Sequence, residues 1–270
     1  MATIFAIPIE PSGSITCTTP QEKVYLLTFV SPPDNRLKTN FCNSLLLALD
    51  IIEHNHPRGV VVTTSGIQKF YSNGLDLEHA ANTPGYWDQS LYALWRRLLT
   101  YPMPTVALIN GHAFAGGLML AMFHDYRIQN PVKGFLCLNE LEFGAPLKPP
   151  MASIFREKLP YPVTYRSMVL EAKRFTAQDA LKEAIIDGLG GLDEALQLIN
   201  KRNLISKGKS ASYRSLKQEM YRETIGYLDN FHDSEERSAD IDYEDSRRAE
   251  SERQRIRGWG RISSDSKAMI

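Results

Sequence analysis

Excess charge of either sign is missing from this chain: 31 Lys and Arg offset 31 Asp and Glu, a formal net charge of zero at pH 7. That balance disfavours both a nucleic-acid surface and an acidic solvating tail protein. Cysteine is scarce. Cys17, Cys42 and Cys137 make an odd set with no Cys-x-x-Cys pair, so neither a disulfide framework nor a cysteine zinc site is expected, and the thiols read as those of a reducing compartment. No apolar run approaches the ~20 residues that cross a bilayer. The opening MATIFAIPIEPSGS has no basic segment and is interrupted by Pro8 and Pro11, so secretion and membrane insertion are not expected. A GxxxxGK[ST] phosphate loop, internal repeats and long low-complexity linkers are also missing. What is present, 270 residues of which 43% are hydrophobic, suffices for a globular body with a generous core.

Short β-branched and apolar runs at Val24–Val30 and Gly59–Thr64 read as strands, the second buried on both faces. Between them Thr39 starts a helix whose apolar positions Phe41, Leu45, Leu46, Leu49 and Ile52 keep helical spacing until Pro57. The pattern repeats with an amphipathic helix at Tyr86–Thr100, a strand at Pro104–Ile109, a short buried helix at Gly116–Phe123, and strands at Tyr126–Gln129 and Phe135–Leu138. Alternation of this kind predicts an α/β fold with a mostly parallel sheet. Beyond Pro150 helical patterns take over, at Ser153–Lys158, Val163–Glu171, Thr176–Ile186, Leu192–Ile205 and Ser212–Leu228, with Thr176 and Asp179 forming a capping box. From Asp233 onward charge dominates, as in a solvated helix or loose tail, and no catalytic role is expected there.

Two glycine-bearing turns and one acidic segment carry the chemistry. In Phe70–Leu77 (FYSNGLDL), Gly74 permits a backbone conformation that leaves the Leu75 amide pointing into a cleft. In Asn110–Leu118 (NGHAFAGGL), a strand runs into a helix whose first turn offers the Gly116 amide and the positive dipole end. Each turn alone reads first as a tight connection with glycine for steric reasons; together they make a pair of oxyanion donors. Asn139–Pro150 (NELEFGAPLKPP) follows a strand and would bring Glu140 to the same cleft, although an isolated loop glutamate is ordinarily just solvated.

These segments, with Pro33–Leu37 (PDNRL), resemble the crotonase (enoyl-CoA hydratase/isomerase) superfamily from about Val24 to about Asp187. Within it, the run GHAFAGGLMLAMFHDYR followed by FLCLNELEFGAPLKPP is most similar to peroxisomal-type Δ3,Δ2-enoyl-CoA isomerases of plants and fungi. The resemblance implies the ClpP-like spiral of repeated ββα units, with a catalytic core at 1–190, a helical C-terminal region with a charged tail at 191–270, and assembly as a homotrimer. It places the two oxyanion donors on the N–H groups of Leu75 and Gly116, the catalytic carboxylate on Glu140, and substrate contacts at Arg36, Asn73, Gly74 and Leu77; the fatty tail needs an apolar slot, for which Met119, Phe143 and Leu147 are the candidates. Hydratases of the family carry a second glutamate where this chain has Met119. Adding water calls for two carboxylates, whereas moving a double bond needs one base, so isomerisation is favoured.

The implied substrate is an unsaturated fatty acyl-CoA in β-oxidation, with no cofactor apart from the CoA of the substrate, and no metal, nucleic-acid or membrane partner. An apolar setting of Leu138, Leu141 and Phe143 should raise the Glu140 pKa. Glu142, two residues on, shares the Glu140 face if the segment is extended, and reads as a solvated neighbour or a second acid. Asp76 reads as a turn-holding acceptor, Arg36 as either a phosphate contact or a surface arginine, and His112 and His124 as packed histidines. Trp87, Tyr92, Trp95 and Leu99 form a helical stripe of core or subunit contact. Alternatives are another crotonase reaction, a non-catalytic acyl-CoA-binding relative and, last, a fold-related serine peptidase. The resemblance implies a peroxisome, yet the chain ends Ser266-Lys267-Ala268-Met269-Ile270 without a Ser-Lys-Leu signal, which leaves a cytosolic location as the alternative.

Overall fold

The computed structural model describes residues 2–267, the side chains at 234, 238 and 260–267 excepted. The chain end at 268–270, on which the targeting argument turned, lies outside the described residues. The chain divides into two compact units, 1–228 and 229–270.

In the first unit, seven strands form one sheet in the order β1 (Thr3–Pro8), β2 (Ser14–Gln21), β3 (Val24–Val30), β4 (Val60–Ser65), β6 (Thr105–Ile109), β8 (Tyr126–Gln129), β10 (Gly188–Leu189). β1, β2 and β3 pair antiparallel, and every pairing from β3 to β10 is parallel. A second, small parallel sheet holds β5 (Phe70–Ser72), β7 (His112–Phe114) and β9 (Leu136–Cys137). Three ββα units thus follow one another: β4, β5 and helix α2 (Leu77–Asn82); β6, β7 and α4 (Gly116–Met122); β8, β9 and α5 (Glu140–Phe143). Each unit lends its first strand to the large sheet and its second to the small one. The ends of β5, β7 and β9 therefore lie side by side, and it is there that residues 73–75, 115–116 and 139–140 emerge.

Burial explains why the expected strands formed. Val60, Val61 and Val62 are all fully buried, as a strand covered on both faces requires. On one face Val24, Leu26, Val62, Val106, Leu108 and Ile128 pack with Ala195 and Ile199 of α9 (Leu192–Lys201) and Leu204 of α10 (Leu204–Lys207). The boundary expected at 190/191 consequently falls inside the first unit, because α9 supplies core to the sheet. On the other side, α1 (Thr39–Asn55) buries Phe41, Leu45, Leu49 and Ile52, as its spacing predicts.

Several expectations change. Strands β1 and β2 were not foreseen, although Ile15 and Cys17 are buried in alternation with Ser14, Thr16 and Thr18. Tyr86–Thr100 is not one helix: Tyr86–Tyr92 winds as a wider π-helix before α3 (Ala93–Leu99). Tyr92, Trp95 and Leu99 are core, Trp95 stacking on Phe123 with ring centroids 4.7 Å apart, whereas Trp87 is only half-buried and meets the stripe edge-on at Tyr92, ring centroids 5.8 Å apart. The Thr176 capping box is present, but α8 spans only Ala177–Lys182, and Ala184 at φ 54° ends the expected run. The run Leu192–Ile205 is split by Asn203 at φ 53°, and Ser212–Leu228 divides into α11 (Tyr213–Met220) and α12 (Arg222–Asp229). α6 (Pro149–Lys158) and α7 (Pro162–Leu170) each start on proline.

Two residues expected to be packed are so. His124 is fully buried, its pKa pushed down to about 3 by desolvation. Nδ1 lies 2.9 Å from the Leu120 carbonyl and can only donate to it, so the neutral ring accepts at Nε2 from Thr63 Oγ1, also 2.9 Å away. His112 sits among Phe70, Phe114 and Phe135 and accepts at Nδ1 from the Phe135 N–H. α11 is fastened by a buried cation: Lys217 Nζ pairs with Asp125 at 2.8 Å and donates to the Leu98 carbonyl at 2.9 Å. Lys217→Ala would leave the Asp125 carboxylate without its cation, held among the described residues only by the Thr105 N–H and the Tyr213 hydroxyl, and urea unfolding should show a loss of about 3 kcal/mol, typical of a buried pair cut on one side. The second unit is the 37-residue helix α13 (Phe231–Lys267) with its approach from Asp229. No helix among the described residues is long and apolar enough to cross a membrane.

Candidate active site

The turn after β5 is held in place by Pro33–Leu37. Asp34 takes Asn73 at two points, its carbonyl accepting from the main-chain N–H at 3.0 Å and Oδ2 from Nδ2 at 2.6 Å. Leu37 N–H donates to the Gly74 carbonyl at 2.9 Å, and Arg36 Nη1 donates to the Leu75 carbonyl at 2.8 Å while its Nε pairs with Asp34 at 3.1 Å. Asp76 caps α2, accepting from His79 N–H at 3.0 Å, and pairs with Lys38, which together hold its carboxyl below the usual range. Every neighbour of the Leu75 amide is thereby fixed, and the amide itself is left over.

Gly74 has φ +81°, and a Cβ there would stand 2.9 Å from both Gly116 N and Phe114 O, so the two turns touch backbone to backbone. The chain leaves β7 through Ala115 at φ 49°, ψ −124°, a conformation a Cβ resists at a cost of about 1–3 kcal/mol. Its N–H is anchored to the Cys137 carbonyl at 2.9 Å. This sharp corner starts α4 with the Gly116 nitrogen beside Gly74, one residue from the Leu75 amide. Among the described residues, neither the Leu75 N–H nor the Gly116 N–H donates a hydrogen bond. Unpaired main-chain donors at a packed site invite an acceptor.

The third segment differs from expectation. Residues 140–143 form a helical turn, so Glu140 and Glu142 point apart: Glu140 is 8% exposed, while Glu142 is exposed and faces Arg174 at 3.5 Å. The solvated reading of Glu142 follows. The same turn swings Leu141 and Phe143 outward, to 58% and 45% exposure, so of the three apolar neighbours named above only Leu138 is buried. Among the described residues Glu140 Oε2 nevertheless has no partner and neither has the adjacent Asn139 Oδ1, and burial raises the Glu140 pKa to about 7. Gly144 at φ 72° ends the turn.

Glu140 opens on a cavity of about 450 Å³ that is also lined by Arg36, Asn73, Leu75, Leu77, Ala115 and Phe143. Of the residues singled out in the sequence, Gly74 and Gly116 form the backbone behind this wall. Met119, fully packed within α4, does not line it. A larger cavity of about 690 Å³ shares Arg36, Leu75 and Leu77 with it and adds Lys38 and His79. On the far side of Glu140 a pocket of about 220 Å³ is lined by Leu138, Leu147, Val169 and Leu170. A polar mouth, a carboxylate and an apolar end thus follow in order. Sequence reasoning missed Asn139, Trp87, Lys148 and Met151, which also line the central cavity; Lys148 Nζ lies 4.8 Å from the Trp87 ring centroid. Only the π-helical turn brings Trp87 there, and helical periodicity carries no signal of it.

A family model described as enoyl-CoA hydratase/isomerase matches residues 19–248. Two Arabidopsis thaliana proteins named enoyl-CoA delta isomerase, peroxisomal forms 1 and 2, are 29% and 27% identical, each alignment covering 76% of this chain and 89% and 91% of theirs. The crystal structure of human mitochondrial delta3-delta2-enoyl-CoA isomerase superimposes with a TM-score of 0.69 at 26% identity, covering 82% of this chain and 88% of that one.

Proposed function

The chain belongs to the enoyl-CoA hydratase/isomerase family, and from that premise we propose that it is a Δ3,Δ2-enoyl-CoA isomerase acting on unsaturated fatty acyl-CoA in β-oxidation. One observation carries this reading: a buried carboxylate, Glu140, whose Oε2 has no partner among the described residues, faces a cavity lined by Leu75 and Ala115, with the spare amides of Leu75 and Gly116 at that wall and directly behind it. Glu140 removes a proton from C2 of a 3-enoyl thioester. The electron pair moves onto the thioester oxygen, giving a dienolate that accepts hydrogen bonds from the two N–H groups. Protonated Glu140 returns the proton to C4, and the product is the conjugated 2-enoyl thioester. The amides meet full charge only as it forms, an effect worth on the order of 3 kcal/mol per donor.

The reaction is a redox-neutral proton shift and consumes no cofactor; CoA is part of the substrate. Its phosphates suit the 690 Å³ cavity with Arg36, Lys38 and His79, and its acyl chain suits the apolar pocket of Leu138, Leu147, Val169 and Leu170. Asn73, Leu77 and Phe143 contact the substrate between them, and Gly74 keeps the turn that carries Leu75. Apolar Met119 leaves no second carboxylate to activate water, which separates this chain from a hydratase. The names of the Arabidopsis relatives favour a peroxisomal location, tested by imaging the tagged protein, with the cytosol as the alternative; a homotrimer is tested by the particle mass at high salt.

Purified protein given cis- and trans-3-enoyl-CoA should form the conjugated product, followed by its ultraviolet absorbance. Hydration of 2-enoyl-CoA without conjugation of 3-enoyl-CoA would overturn the reading. Arg36→Ala frees the Leu75 carbonyl from its anchor, and a misplacement of about 1 Å in the adjoining donor should lower kcat by up to ~10²-fold. Because Arg36 also lines the polar cavity, KM should rise as well.

A further inference from the structure

Helix α13 is polarised along its length. Residues 233–245 carry seven carboxylates against Arg237 alone, whereas residues 247–257 carry five arginines against Glu250 and Glu252. Its apolar side chains Ile241, Ile256 and Trp259 are exposed. Ile241 and Trp259 are separated by five helical turns, so they stand on one line about 27 Å apart. Asp245, Arg248, Glu252 and Arg255 fall within about 40° of that line, and Glu250 falls on the opposite side. From its N-terminal end, one face therefore presents Ile241, Asp245, Arg248, Glu252, Arg255 and Trp259.

Read from the other end, this series complements itself. We infer that this face pairs antiparallel with the same face of a second copy of the chain, about a two-fold axis near residue 250. Ile241 then meets Trp259 of the second copy, Asp245 meets Arg255, and Arg248 meets Glu252, each contact occurring twice. A parallel arrangement in the same register would set Asp245 against Asp245 and Arg248 against Arg248, so charge selects the antiparallel one. Two features of the single copy prepare the face. Arg248 lies 3.0 Å from Asp245 and Arg255 lies 3.9 Å from Glu252, contacts that hold the charged groups along it. Glu252, Arg255, Ile256 and Trp259 line an open hollow of about 490 Å³, which would receive the opposing Ile241. A face this short, with ionic contacts at its centre, makes a weak and salt-sensitive pair.

The test is sedimentation of the full chain across concentrations at low salt, with circular dichroism to follow the helix. The wild-type particle should have twice the mass of Asp245→Arg, of Arg255→Asp and of Trp259→Ala, and high salt should halve it. The double variant Asp245→Arg/Arg255→Asp should recover the full mass. Those two positions are about 15 Å apart along one helix, so no contact within a single copy produces that rescue. Equal masses for the wild type and all three single variants, or failure of the double variant to recover while its helix is intact, would overturn the pairing. Turnover of 3-enoyl-CoA in the same samples should stay at the wild-type level, which keeps this outcome separate from the proposed activity.

Discussion

Glu140→Gln is expected to abolish conjugation of 3-enoyl-CoA while leaving acyl-CoA binding close to wild type. General base catalysis contributes ~10²–10⁴-fold, and a sole base that also returns the proton belongs at the upper end of that range. In the wild type the carboxylate form is the active one, so kcat/KM should climb with pH through about 7, the value to which burial raises this group. The same residue links activity to stability. Its folded-state pKa of about 7 lies above the ordinary value of 4.5, so the neutral acid stabilises the fold, fully below pH 4.5 and progressively less as pH rises through 7. Gln stays neutral throughout. The variant should therefore match the wild type in urea unfolding at about pH 4 and exceed it by about 3 kcal/mol at about pH 8, at 1.36 kcal/mol per pH unit. Retained turnover would remove Glu140 as the base, and a stability difference independent of pH would contradict its burial in the charged form.

A stabilising substitution that destroys activity is the signature of a group kept in an uncomfortable place. Nothing else within the first unit explains why an acid should sit 8% exposed with Oε2 unpartnered. The comparison with Glu142 sharpens this. Two residues away on the same helical turn, Glu142 points to solvent and Arg174. The helical turn, not the composition of the segment, assigns the two carboxylates their different surroundings.

That turn also marks where the sequence stopped being legible. The glycine at 74 and the strand-to-helix corner before Gly116 are local features, and local reasoning suffices to single out the two amides that make no hydrogen bond among the described residues. Strand β4 was legible because valine at three successive positions needs cover on both faces. The direction of Leu141 and Phe143 depends on whether residues 140–143 coil or extend, and four residues carry too little periodicity to decide. A 3.6-residue period puts Trp87 on the core stripe; the π-helical winding of Tyr86–Tyr92 departs from that period and leaves the ring lining the cavity beside Lys148, with only an edge on Tyr92. The place of α9 in the first unit rests on Ala195 and Ile199 meeting Val62 and Val106, contacts between residues far apart in the chain that no window of sequence contains.

Gly117→Ala should be the most damaging single methyl in the site. A Cβ at 117 would stand 2.1 Å from the Ser72 carbonyl oxygen and 2.7 Å from its carbon, and both are main chain of β5. Neither side can rotate away, so α4 and β5 must separate by roughly 1 Å to reach ordinary contact. That separation opens the junction across which the Gly116 and Leu75 amides converge. Overpacking of this kind costs about 1–3 kcal/mol of stability. The effect on turnover should be larger, ~10²-fold or more in kcat, because the donors would no longer meet one oxygen. KM should change little, since the cavity with Lys38 and His79 lies on the other side of Leu75. Gly144→Ala supplies the contrast: φ is +72° but no atom lies within 4 Å of its Cβ, so it should lose only the ~1–2 kcal/mol of left-handed strain and keep its kcat per folded molecule. If Gly117→Ala turned over as fast as Gly144→Ala, close contact between the two turns would not be what sustains catalysis, and the paired-donor account of this site would fail with it.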